Sequence, residues 1–201
     1  MFGFKKKTPT TLEEKIEALA EIGVVVDPER TTEEMLESND REAYEEKRFD
    51  SLLFTLANEV ETGLGAGAYY TNQLYSFDTE CIEGNGDYAR IAMRFAEMFQ
   101  DEFEIKGISD KVDWDNKAAE LSFECGGKRY HKDLVMEDDW LDAKVFELFI
   151  QVANDMNSQR RLGFTDSGGQ DIWLCVMTQS QMKVFNKLTG QNMRVMTVDD
   201  L

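Results

Sequence analysis

Histidine, cysteine and proline are all scarce in this 201-residue chain, and basic side chains are outnumbered by acidic ones, 22 to 40. The shortage of base excludes most. At a formal charge of -18, the surface repels nucleic acid and anionic membrane and attracts basic partners, with contact rates that fall as salt rises. No basic stripe interleaves with aromatics; Lys5-Lys6-Lys7 is short and terminal, and Arg160-Arg161 is a single pair. His131 is the only histidine, so a Ser-His-Asp triad, a Cys-His pair or a multi-histidine zinc site would all have to run through it. Alternation in Lys128-Arg-Tyr-His-Lys-Asp133 puts Tyr130 and Lys132 on one face and His131 on the other, which reads as a structural or half-exposed residue. Cys81, Cys125 and Cys175 are odd in number, widely spaced and set in apolar runs, a pattern expected of buried, reduced thiols in a cytosolic protein. The only prolines, Pro9 and Pro28, lie near the N-terminus. No run approaches 18 apolar residues, and the opening residues do not read as a secretory signal.

What is present is enough for a core. Hydrophobic residues make up 42% of the chain, with 13 Phe and 3 Trp, and this aromatic content argues against disorder. The acid is uneven. Residues 1–62 hold 16 acidic and 8 basic side chains, whereas residues 160–201 hold 4 and 5.

Capping-box patterns at Thr10-Thr11-Leu-Glu-Glu and at Thr32-Glu-Glu predict two helices. A third helical pattern runs from Asp40 to Glu61, with Tyr44, Phe49, Leu52, Leu53 and Leu56 inward. Residues 1–62 thus form an acidic helical N-terminal segment, and residues 63–73 a flexible glycine-rich loop. Residues 74–201 are expected to hold a strand over 74–82, a helix capped by Asp87, strands over 104–112, 118–125 and 128–135, and a helix capped by Asp138-Asp139. A hairpin through Asp166-Ser-Gly-Gly169, a helix starting at Thr178 or Ser180 and a short last strand follow. Gly126-Gly127 suits a two-residue hairpin turn. Tight turns between adjacent strands predict an α+β fold, with a mainly antiparallel sheet covered by helices and the acidic helical segment as an extension, or all of it as one domain.

Catalytic signatures are weak. Gly63-x-Gly65-x-Gly67 lacks the preceding strand, following helix and glycine spacing of a dinucleotide fingerprint, and it has no Walker lysine. Asp87 with Glu104-Ile-Lys106 mimics a nuclease metal pattern, but Asp87 reads as a helix residue and the charge is wrong for phosphate. Two acidic groups stand out: Asp78, Glu80 and Glu83 at a strand edge, and Asp138, Asp139 and Asp142 at a helix start. Paired carboxylates of this kind can hold a divalent ion for hydrolysis, or be helix caps and solvated edges. No cofactor and no specific metal ligand set is expected.

The stretches Phe77-Asp-Thr-Glu-Cys-Ile-Glu83, Asn85-Gly-Asp-Tyr88, Asp138-Asp-Trp140 and Asp166-Ser-Gly-Gly-Gln-Asp171 together resemble small uncharacterised bacterial cytosolic α+β proteins, loosely of the immunity-protein kind. The resemblance spans residues 74–198 and transfers no site residues. It implies a cytoplasmic, non-enzymatic protein that occludes a basic partner such as a toxin. The expected contacts are both acidic groups, Tyr69 or Tyr70 exposed in the glycine loop, and Trp140. A metal-dependent hydrolase and a general adaptor or scaffold are the alternatives.

Overall fold

The apolar run Ile172-Trp-Leu-Cys-Val-Met177 sets the architecture, because a strand without polar alternation must be covered on both faces. In the computed structural model, which describes residues 9–46, 48–60, 68–166 and 168–201, this run is β6 (Asp171–Thr178). It lies between β1 (Leu74–Asp78) and β5 (Arg160–Asp166) in an antiparallel sheet of order β1-β6-β5-β7, with β7 (Arg194–Val195) at the far edge. Leu174 and Val176 enter one hydrophobic core, and Cys175 and Met177 enter a second.

The second core is built by the N-terminal third. Helices α1 (Leu12–Ala20), α2 (Thr32–Ser38), α3 (Arg41–Glu46) and α4 (Asp50–Ala57) bring Leu12, Leu19, Met35, Tyr44, Leu53 and Leu56 against Leu74, Cys175 and Met177. Helix α7 (Gln179–Thr189) adds Met182 and Phe185. These N-terminal helices are therefore a layer of the fold, sharing a core with the four-stranded sheet. The expected capping box forms at Thr11 with Glu14; the second lies one residue earlier than expected, at Thr31 with Glu34, and the Thr178 cap also closes a box with Gln181.

On the other face of the sheet lie α5 (Asp87–Met98), α6 (Phe146–Asp155) and a three-stranded antiparallel sheet of β2 (Ile105–Asp113), β3 (Ala118–Cys125) and β4 (Lys128–Val135). Phe95 stacks on Phe149 at 4.2 Å, and Phe149 on Phe123 at 5.6 Å, so aromatic rings join α5, α6 and β3. The Gly126-Gly127 turn pairs Cys125 with Lys128, as expected, and thereby fixes the register of β3 and β4. The α+β class and the antiparallel pairing agree with the sequence reading, with two differences. The strands divide into two sheets, and the larger sheet is covered on both faces.

Among the described residues, no helix is long and apolar enough to cross a membrane. Cys125 and Cys175 are buried, Cys81 is half-buried, and all three are free thiols. The Gly63–Gly67 run and Lys5-Lys6-Lys7 lie outside the described residues.

Two truncations test the two-faced sheet. Leu53→Ala and Phe149→Ala, in opposite cores, should each cost about 2–5 kcal/mol and should shift one common transition in urea unfolding followed by circular dichroism and tryptophan fluorescence. A separate early transition moved only by Leu53→Ala would show that the N-terminal helices fold apart from the sheet.

Candidate functional site

Three acidic segments meet at the end of the three-stranded sheet opposite the Gly126-Gly127 turn. They are residues 78–87 after β1, 110–117 around the β2–β3 turn, and 135–142 after β4, and together they carry eleven carboxylates and two lysines. Backbone bonds stitch them together. Ile82 N–H donates to the Asp139 carbonyl at 2.9 Å, Leu141 N–H to Thr79 at 2.8 Å, and Met136 N–H to Lys117 at 3.0 Å. Trp140 forms isolated bridges with both Glu80 and Glu137. The Trp114 indole N–H reaches the Glu83 carbonyl at 3.3 Å. Sequence-distant acids thus share one surface with two half-exposed indoles, Trp114 at 45% and Trp140 at 38%, and with Val135 at 62%.

The carboxylates at this end divide by what they bind. Asp110, Asp142, Asp87, Asp78 and Asp113 accept backbone N–H groups. Helix α5 has Gly86 as its N-cap, at φ 106° and without a side chain. Its cap comes from β2, where the Asp110 carboxylate accepts Gly86 N–H at 2.9 Å and Ala89 N–H at 3.2 Å. Asp87, the residue expected to cap this helix, instead accepts from Glu83 and Gly84 N–H at 2.8 and 2.9 Å and shapes the preceding turn. Asp78 accepts Glu80 N–H at 2.9 Å.

The cap expected at Asp138-Asp139 also moves. Asp142 is the residue that caps, at the start of the 3-10 turn Ala143–Val145 that leads into α6. Its two oxygens accept Lys144 N–H at 3.0 Å and Val135 N–H at 2.8 Å, while its own N–H donates to the Tyr88 hydroxyl at 3.0 Å. Burial pushes the Tyr88 phenol up to about 12, so it stays neutral in this bond. Asp142 is therefore a structural carboxylate that ties the end of β4 to the start of the turn before α6.

Glu80, Glu83, Asp115, Glu137, Asp138 and Asp139 are different. Their carboxylates show no hydrogen bond or ion pair among the described residues, and five of the six are exposed, with Asp139 half-buried. Asp138 holds φ at 58°, in the left-handed region that aspartate tolerates better than most residues. Glu137, Trp114 and Val135 were missed by sequence reasoning. The run Glu137-Asp138-Asp139 and the turn signal at Asp113-Trp-Asp-Asn116 could have flagged the first two.

The two tyrosines do not join this surface. Tyr70 is 2% exposed and belongs to the core beneath the N-terminal helices, so its expected exposure is corrected. Tyr69 is half-buried beneath the Arg94 guanidinium, 3.7 Å from the ring, and meets Tyr75 edge to face at 5.6 Å. Burial raises the pKa of both phenols and so keeps them neutral. Arg94 itself is buried and donates to the carbonyls of Thr71 and Leu74 at 2.5 and 3.0 Å, which fixes the path of the chain into β1.

Nucleophilic chemistry finds little support. Burial pushes Cys81 up to about 11 and Cys175 up to about 12, so neither offers a thiolate at neutral pH. His131 lies on the open face of β4, with Nε2 3.1 Å from Asp133. No family model, curated protein or solved structure matches this chain.

The division among carboxylates is measurable. Asp110→Ala should cost about 1–2 kcal/mol, as loss of a helix cap does, and should speed amide exchange at Gly86 and Ala89. Glu80→Ala, which removes only an unpartnered side chain, should stay within about 0.5 kcal/mol of the parent. Denaturant midpoints of the two variants check both.

Proposed function

We propose that this protein binds a basic protein partner through its acidic end and catalyses no reaction of its own. In the finer reading it is a cytosolic inhibitor of the immunity kind, which would occlude the cationic working surface of a toxin. The observation that carries the proposal is the arrangement of six carboxylates, without partners among the described residues, around two half-exposed indoles. Each part has a role in docking. A concentrated negative field speeds encounter with a cationic surface, and the effect weakens as salt screens it. Aromatic side chains that desolvate on contact supply residence time, and tryptophan is prominent among such anchors. Carboxylates already held by backbone N–H groups keep the ends of β4, α5 and α6 rigid, so less order has to be imposed on binding. Three free thiols suit the reducing cytosol in which such a partner would be met.

The test compares two baits. Wild type and the triple variant Glu80→Lys, Glu137→Lys, Asp138→Asn are incubated with lysate of the native host and eluted by a salt gradient. Asparagine is chosen at 138 because it tolerates the left-handed backbone. A stoichiometric basic protein should elute sharply from wild type and be lost or eluted much earlier from the variant, with the melting temperature little changed. With the purified partner, the variant should associate more slowly and with a flatter salt dependence, whereas Trp140→Ala should mainly hasten dissociation. Equal capture by both baits would remove this end as the docking site, and no stoichiometric basic partner on wild type would sink the reading.

A further inference from the structure

The outer face of the three-stranded sheet carries a second arrangement, independent of the acidic end. The β3–β4 register pairs Glu120 with Asp133 and Ser122 with His131. Counting back from the Cys125–Lys128 pair at the turn, Glu120 and Asp133 occupy a non-hydrogen-bonded site, where opposed side chains come closest. His131 precedes Asp133 by two residues on the same strand face. The three side chains therefore form a triangle set by backbone register. One ligand atom from each, His131 nitrogen and a carboxylate oxygen of Glu120 and of Asp133, lies within 4.8 Å of the other two.

Two like charges directly opposed across a sheet repel each other. In a chain of charge -18 that repulsion is not relieved by a salt bridge at Glu120, which has none among the described residues. Lys111 stands opposite Glu120 on β2, and Arg129 shares this face of β4 with its guanidinium 3.3 Å from the Ser122 hydroxyl, but neither forms an ion pair with the opposed carboxylates. Among the described residues, Asp133 pairs only with His131. A cation bound between the three side chains would remove the conflict.

We propose that Glu120, His131 and Asp133 form a surface site for a divalent first-row transition ion, with zinc as the reference occupant. Metal bonds of about 2.1 Å place ligands of one ion about 3.0–3.4 Å apart, a small contraction that exposed side chains can make by rotation. One imidazole and two carboxylates leave the remaining positions to water. The imidazole also sets the selectivity. It favours zinc, copper, nickel and cobalt, whereas an all-oxygen site would take calcium or magnesium as readily.

Because His131 is the only histidine, the Cε1 proton of its ring gives a single imidazole signal in tag-free protein. Zinc chloride titrated into that protein should shift this signal saturably, and calorimetry should give one zinc per chain. Excess magnesium or calcium should not displace the zinc. His131→Ala should abolish the calorimetric signal, and Glu120→Gln should weaken binding about tenfold or more, with unchanged circular dichroism in both. Copper should bind more tightly than zinc, and manganese more weakly. Zinc binding that survives His131→Ala, that magnesium competes away, or that leaves the imidazole signal unmoved would overturn the site and assign any uptake to the general acidity of the surface.

Discussion

Burial of β6 on both faces is the constraint from which the rest of the architecture follows. A strand that sends Leu174 and Val176 one way and Cys175 and Met177 the other cannot leave either face to water. One face takes α5, α6 and the inner side of the smaller sheet. The other would expose a sizeable apolar area if α1 to α4 were absent. The N-terminal third, acidic outside and apolar inside, answers that demand. Gly163 marks how tightly the layers close, since a methyl group there would come within 2.8 Å of Cys175 sulfur and closer still to Met182.

That layering also determines where the acid can act. Strand ends and helix starts converge beyond β4, and their unpaired backbone N–H groups need acceptors. Asp110 and Asp142 supply them across the chain: one holds α5 from a neighbouring strand, the other ties the end of β4 to the approach of α6. These carboxylates make the end rigid, and the remaining acids at the same end stand on that rigid frame.

Much of this was legible in the sequence wherever the signal was local. The capping box at Thr11, the Gly126-Gly127 turn and the alternation of β4 all depend on residues a few positions apart, and they formed as expected. The β3–β4 register alone would have placed Glu120 opposite Asp133, an inference available once the turn was identified. What escaped depends on distance along the chain. The α5 cap comes from Asp110, 24 residues beyond Gly86, so Asp87 was the nearest acid to choose. Asp138, Asp139 and Asp142 compete as caps in sequence, and the bridges of Trp140 to Glu80 and Glu137 decide among them by keeping the helix from starting early. Tyr70 sits beside a glycine run and reads as loop, yet it is buried by helices that the sequence could not position. Lys15 and Arg94 are charged residues in the interior, held by the Tyr44 carbonyl and by the Thr71 and Leu74 carbonyls. Hydrophobic periodicity has no means of showing either.

Acidity that served solubility alone would be expected to be dispersed and interspersed with base. Much of the remaining surface follows that rule. Glu13 pairs with Arg41, Glu97 with Arg94, Glu102 with Arg160, Glu147 with Lys132, Asp155 with Lys128 and Asp200 with Arg194. The end beyond β4 breaks it. Glu80, Glu83, Asp115, Glu137, Asp138 and Asp139 are crowded together and form no ion pair among the described residues, beside indoles that remain half in water. Such crowding raises the self-repulsion of the folded state and leaves apolar rings unburied, two costs that solubility does not require. The cationic partner proposed for this end would remove both at once, neutralising the field and covering the rings. The distribution of charge, more than its total, is what the proposal of recognition at this end of the fold rests on.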